Sequence, residues 1–203
     1  DPSLVRSAIP NYFLARMTQQ YVTVVLTGEG ADELFAGYHY LKEFDNDASL
    51  SEELIRLTQM LYNCNLQRCD RMTMAHSIEA RVPFLDTDFI CLSMGIHKDK
   101  KIEPDTHIEK WILRKAFDDI VPDNVAWRTK EQFSKGAGSS KALVQLAENR
   151  YDNATYLTRL RDIRNTIGVT IQSKEMLMYY DIFLGYFTPS ATKLVQIWVG
   201  TDK

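Results

Sequence analysis

Glu29, Asp32 and Glu33 place three carboxylates in a single turn at the end of an apolar run, inside Leu26-Thr27-Gly28-Glu29-Gly30-Ala31-Asp32-Glu33-Leu34-Phe35-Ala36-Gly37-Tyr38. Small residues here let backbone come close to a ligand and leave N–H groups free at a helix start. Backbone donors alone would suit a bare phosphate. Carboxylates beside them suit a magnesium–phosphate site, because Mg2+ takes oxygens from one or two carboxylates and completes its shell with phosphate. The same acids also suit the positive end of a helix dipole, and spacing alone leaves both readings open.

Two further segments carry reactive residue types. In Trp127-Arg128-Thr129-Lys130-Glu131-Gln132-Phe133-Ser134-Lys135-Gly136, two cations stand on a glycine-containing loop that can close over an anion. Loop cations are more often only solvated, so this segment is weak by itself. The stretch His76-Ser77-Ile78-Glu79-Ala80-Arg81-Val82-Pro83-Phe84-Leu85-Asp86, preceded by Asp70 and Arg71, reads as architectural. Asp86 suits a helix cap there, and His76 suits a hydrogen-bonded interior position better than a catalytic one.

These groups need elements to hold them. Tyr21 to Thr27 is β-branched and nearly continuous in apolar character, which predicts a parallel strand buried on both faces. Strand, glycine turn, then helical character from Ala31 to Tyr40 is the local order of an α/β fold, whose ligands sit at carboxyl ends of strands. An amphipathic run predicts a helix over Tyr12 to Gln20. Further helices are predicted from Ser51 to about Cys69, Asp86 to Met94, Ile108 to Asp119, Ser139 to Asn149 and Ser173 to Leu184. Trp127 to Gly138 is read as loop, and Gly185 to Lys203 is left between loop and a short apolar closing element. Only one convincing strand emerges, and a strand needs neighbours to satisfy its N–H and C=O groups. The expectation is that residues outside this chain complete the sheet, and that its open edge invites association, self-association included.

Composition narrows the function class. The 203 residues suffice for one domain with a sizeable core, and 45% hydrophobic with 25% charged residues is ordinary for a globular chain. A net charge of −3 gives no basic field for nucleic acid or an anionic membrane. No apolar run approaches the ~20 residues of a membrane span, and no signal-peptide pattern opens the chain. Cys64, Cys69 and Cys91 lack zinc-ligand spacing and read as reduced, buried or half-buried thiols of a cytoplasmic protein.

Taken together, the segments resemble the asparagine synthetase (glutamine-hydrolysing) family. Thr27 to Tyr38 resembles that family's second signature, in which Ser or Thr opens a Gly-Glu-Gly-x-Asp-Glu run. Asp70-Arg71 and Glu79 to Asp86 resemble its Glu-x-Arg-Val-Pro-Phe-Leu-Asp block. Ile108-Glu109-Lys110 with Leu113-Arg114, then Trp127 to Ser134, resemble the blocks that follow. Ser173-Lys174-Glu175 with Tyr180 and Phe183 is similar to its last helix, and Asp1, Arg6 and Pro10 hold the spacing before the strand. The resemblance runs through nearly the whole chain in order.

What it implies is an α/β fold: residues 1–203 as the mostly helical second half of an ATP-pyrophosphatase-type, parallel-sheet synthetase domain, with the sheet incomplete. The implied reaction joins AMP to the β-carboxylate of aspartate, releases pyrophosphate, and lets ammonia from glutamine displace AMP to give asparagine. The resemblance assigns Thr27, Gly28, Gly30, Asp32, Arg6 and Lys130 to ATP and pyrophosphate, with Asp32 the candidate Mg2+ ligand. Lys130 would stabilise charge on the reacting phosphate, and Glu29 would sit beside the adenylate and handle the protons of incoming ammonia. Related β-lactam-forming synthetases carry Tyr at that position, so Glu29 favours ammonia-using amidation. The glutaminase portion and the upstream Ser-Gly-Gly-x-Asp-Ser loop are not in this sequence. They are therefore expected in a preceding half, as part of the same or a separate chain, and these 203 residues alone are expected not to catalyse. Two alternatives stand beside this reading: a relative that amidates another carboxylate, and a non-catalytic half-domain.

Overall fold

The computed structural model describes residues 2–195, and these fall into two compact units. One comprises residues 15–130, and the other residues 2–14 with 131–195. Helix α1 (Pro2–Thr18) begins in the second and ends in the first.

In the 15–130 unit, strand β1 (Val24–Leu26) leads through Gly28 to the short helix α2 (Ala31–Leu34). Helix α3 (Asp47–Met60) starts four residues earlier than its composition suggests, because Asn46 caps it by accepting from Ser49 N–H at 2.9 Å. It buries Leu50, Leu54 and Leu57 on one stripe, the spacing that keeps one helical face apolar. The chain then tightens into a 3-10 turn at Leu61–Asn63 before α4 (Asn65–Met74), so the single helix predicted through Cys69 is broken in two. That break is what turns Asn65 and Arg68 toward the turn after β1. Strand β2 (Glu79–Arg81) pairs with β1 in parallel, Val24 opposite Glu79 and Leu26 opposite Arg81. The segment read as architectural is thus the missing neighbour, hidden because Glu-Ala-Arg carries no strand signal.

A 3-10 turn at Pro83–Leu85 precedes α5 (Thr87–Met94), which Asp86 caps as predicted, accepting from Asp88 and Phe89 N–H. Short helices α6 (Lys98–Lys101), α7 (Trp111–Ala116) and α8 (Asp123–Ala126) complete this unit. Its core gathers Leu34, Phe35, Leu41, Leu54, Leu61, Ile78 and Ile102, all at most 3% exposed.

β1 departs from expectation. Tyr21, Val22, Val24 and Leu26 are exposed, Leu26 by 74%, whereas an interior strand was predicted. Among the described residues β1 has one strand partner, β2, and nothing covers these side chains.

The other unit holds α9 (Phe133–Gly136), α10 (Ser139–Arg150), α11 (Asn153–Ile167) and α12 (Lys174–Leu184). Its core packs Leu143, Ala147, Ile163, Ile171, Leu177 and Met178. Asp152 caps α11 through Thr155 N–H at 2.7 Å, and Ser173 caps α12 through Met176 N–H at 3.1 Å. The predicted loop at 127–138 contains α9, and α11 had no counterpart in the sequence reading. The tail carries a 3-10 turn at Pro189–Leu194, and the remainder of that prediction lies outside the described residues. Among the described residues, no helix is long and apolar enough to cross a membrane. Cys64 and Cys69 are buried free thiols, while Cys91 is exposed, against expectation.

Candidate active site

The site is built where β1 ends. Thr27 donates its N–H to Arg81 O at 2.9 Å, carrying the ladder one residue past Leu26. The chain turns at Gly30 with φ +96°, where a Cβ would fall 2.5 Å from Leu85 Cδ2, so both backbone and space demand glycine. At Gly28 the opposite holds: nothing lies within 4 Å of where a Cβ would be, leaving room beside the backbone. α2 lasts one turn because Ala36 takes a left-handed φ of 53°. This swings Gly37 back until its N–H reaches Asp32 O at 2.8 Å. A Cβ on Gly37 would lie 1.9 Å from Asp32 Oδ1, so that glycine clears the space in which the Asp32 carboxylate stands.

Two lysines converge on that carboxylate. Lys110 Nζ reaches Asp32 Oδ1 at 2.9 Å, and Lys130 Nζ pairs with Asp32 Oδ2. Lys110 also has left-handed backbone, φ 55°, and ties its N–H to Phe35 O at 3.1 Å. Non-glycine residues in this region store strain that the surroundings must over-determine, and both Ala36 and Lys110 adopt it here. Burial alone would raise the Asp32 carboxyl, but the fields of Lys130 and then Lys110 hold it below the usual carboxylate range. Burial likewise lowers Lys130, with Asp32 opposing. The Lys130 ammonium also stands 5.2 Å from the Tyr38 ring centroid.

The other two acids are spoken for. Glu33, 1% exposed, accepts from the Tyr38 hydroxyl and from Asn65 Nδ2 at 3.0 Å. Burial raises its pKa, which favours the neutral acid. Glu29 Oε1 takes Arg68 Nη2 at 2.7 Å, and Arg68 Nη1 continues to Asn65 Oδ1 at 3.1 Å. Glu29 is paired with Arg68, and Asp32 is shared by two ammonium groups. Two lysines brought together on one carboxylate at a strand end are cations placed where an anion could be met.

A family model, asparagine synthase, matches residues 1–48 and 41–183. The chain belongs to the asparagine synthase family. Its relatives include a probable asparagine synthetase (glutamine-hydrolyzing) of Schizosaccharomyces pombe, 35% identical over 98% of this chain and 37% of the relative. Asparagine synthetase B (glutamine-hydrolyzing) of Escherichia coli is 36% identical over 96% of this chain and 35% of its own length. An asparagine synthetase (glutamine-hydrolyzing) of Asparagus officinalis is 40% identical over 95% and 34%. The chain therefore spans about a third of the length of these relatives.

Of the residues picked out in the sequence, Thr27, Gly28, Glu29, Gly30, Asp32 and Lys130 all belong to the 15–130 unit, with Asp32 and Lys130 in direct contact. Arg6 belongs to the other unit, where Nε and Nη2 make a two-pronged pair with Glu175, Nε at 2.9 Å, and Tyr179 donates to the same carboxylate at 2.7 Å. Lys110, Tyr38, Asn65 and Arg68 were given no role in the sequence reading. Lys110 and Tyr38 stand inside the asparagine synthase blocks quoted for the resemblance, which is the signal that was present. Arg68 and Asn65 become visible only once α4 is separated from α3.

Proposed function

We propose that this chain is the second half of an ATP-dependent amide-forming synthetase domain that makes asparagine from aspartate. The observation that carries the reading is the single carboxylate held between two lysines at the end of a parallel strand. A pyrophosphate needs cations that do not have to be gathered from solvent, and Lys110 and Lys130 already stand together. Membership of the asparagine synthase family and the names of the relatives point the same way.

The chain's own residues divide the work. Lys130 and Lys110 bind the polyphosphate and balance its charge as pyrophosphate leaves. The open space beside Gly28 lets the nucleotide approach backbone. Glu29, steadied by Arg68, faces the activated acyl group and accepts the protons of ammonia, supplied by glutamine hydrolysis elsewhere in the protein. Among the described residues no three acids, cysteines or histidines are grouped to hold a metal. That still fits Mg2+, which keeps water and phosphate ligands and needs one or two carboxylates. Asp32 would be that ligand once the lysines turn to phosphate. Bound there, Mg2+ would supply charge neutralisation on the phosphates.

The exposed run along β1 supports a preceding half that carries the phosphate loop and the remaining strands. Together the two halves should release pyrophosphate from ATP only when aspartate is present, and Lys130→Ala should abolish release. Aspartate-independent release, or undiminished release by that variant, would sink this reading.

A further inference from the structure

Arg114 is nearly buried, with its side chain 11% exposed, and it touches none of the groups just assigned to substrate. All three of its guanidinium nitrogens are nevertheless committed. Nε donates to Glu109 O at 2.9 Å and Nη2 to Glu109 Oε1 at 2.6 Å. Nη1 donates to two backbone carbonyls, Ala126 O at 2.6 Å and Arg128 O at 3.0 Å. Glu109 immediately precedes Lys110, and Arg128 is two residues before Lys130. One planar fork therefore grips the backbone beside each of the two lysines that meet on Asp32, and planarity is what lets arginine fix several acceptors in one geometry. Glu109 is in turn held by Lys42 Nζ at 2.8 Å. A second tie secures the same loop root: Trp127 Nε1 donates to Asp118 Oδ1 at 2.6 Å, and its ring lies 5.4 Å from that of Trp111.

We propose that Arg114 is a positioning residue that fixes where Lys130 and Lys110 stand, so that the two ammonium groups are preset for an anionic ligand before it arrives. The restraint has a purpose that packing alone does not supply. Two like charges held on one carboxylate repel each other, and a loop without an anchor would let Lys130 swing to solvent. The left-handed backbone at Lys110 is over-determined by the same device, with Glu109 pinned on one side and the Lys110 N–H on Phe35 O on the other. The ligand named here, pyrophosphate, rests on the functional reading given above; the anchoring of Lys130 does not.

The test is competitive labelling of lysines with trace acetic anhydride, read peptide by peptide by mass spectrometry, in the wild-type chain, Arg114→Gln and Arg114→Lys. Freeing the loop should raise Lys130 labelling by about 5- to 10-fold in Arg114→Gln, as for a segment whose local opening has become easy. Arg114→Lys should show the same rise, because an ammonium cannot hold Glu109 and two carbonyls in a plane. Lys101, 1% exposed, reports folding in the same sample and should stay protected. Wild-type rates at Lys130 in both variants, or Lys101 labelling in step with Lys130, would overturn the proposal. Inorganic pyrophosphate with Mg2+ should slow Lys130 labelling in the wild type. If it does not while Arg114→Gln still frees Lys130, the anchor stands and the pyrophosphate reading falls.

Discussion

Lys101 is the largest fully buried side chain of the described residues, and its Nζ has no hydrogen-bond partner among them. Burial drives its pKa down from 10.5 to about 8, with Asp47 pulling weakly the other way. Asp47 is itself engaged, accepting from Lys98 N–H at 2.6 Å. Replacing Lys101 with Met keeps an unbranched stem of similar reach and removes the charge. A fall of this size, at about 1.4 kcal/mol per pKa unit, puts the penalty of carrying the charged amine at about 3 kcal/mol. The sign follows from linkage. Below about pH 8 the amine is protonated in folded and unfolded chain alike, and the folded chain bears the full penalty. Between about 8 and 10.5 the unfolded chain binds more protons, so wild-type stability rises with pH; above 10.5 the penalty is gone. Lys101→Met should therefore be more stable than wild type by about 2–3 kcal/mol at pH 7, with the gap closing toward pH 10.5. Urea unfolding at pH 7, 8.5 and 10 measures this, and at pH 7 the midpoint should move up by about 1 M. A variant less stable than wild type at pH 7, or a gap that does not narrow with pH, would refute the reasoning.

Gly37→Ala should empty the site from behind, since its Cβ would meet Asp32 Oδ1 at 1.9 Å and the Asp32 Cα at 2.9 Å. Titration calorimetry with Mg-pyrophosphate should find affinity at least ~10-fold weaker, a loss of about 1.4 kcal/mol. Asp32→Asn leaves two ammonium groups without their anion and should cost about 1–3 kcal/mol at pH 7 by urea unfolding. Because the Asp32 pKa is lowered in the folded chain, its contribution is present above the ordinary carboxylate range and lost as pH falls through the lowered value. The difference between Asp32→Asn and wild type should accordingly shrink in acid.

Much of the site was legible because its chemistry is written locally. Glu29, Asp32 and the glycines between strand and helix sit within one turn, and the φ of +96° at Gly30 is what the Gly-Glu-Gly spelling requires. The loop lysine could be named but not placed: nothing local says that Lys130 crosses to Asp32, since that contact closes across most of the 15–130 unit. Lys110 was harder still, because its reach depends on a left-handed backbone that neither its type nor its neighbours announce. The apolar character of the strand was legible, while its side chains find no cover among the described residues, Leu26 being 74% exposed. β2 was invisible because Glu79 and Arg81 flank a single alanine, and a parallel partner is chosen by topology. α3 and α4 merged in the sequence because no glycine or proline marks the turn at Leu61–Asn63. Arg6 pairs with Glu175, far away in sequence, a contact that no local spacing announces.

We propose above that aspartate is activated as an adenylate at this site before ammonia displaces AMP. It is tested most directly by giving the chain, together with its proposed upstream half, ATP, ammonia and aspartate carrying 18O in its β-carboxylate. Attack of a carboxylate oxygen on the α-phosphorus expels pyrophosphate, and that oxygen stays on phosphorus when nitrogen takes the acyl carbon. One 18O is expected in the AMP formed for each asparagine. AMP free of label, or label in inorganic phosphate with ADP as co-product, would contradict it.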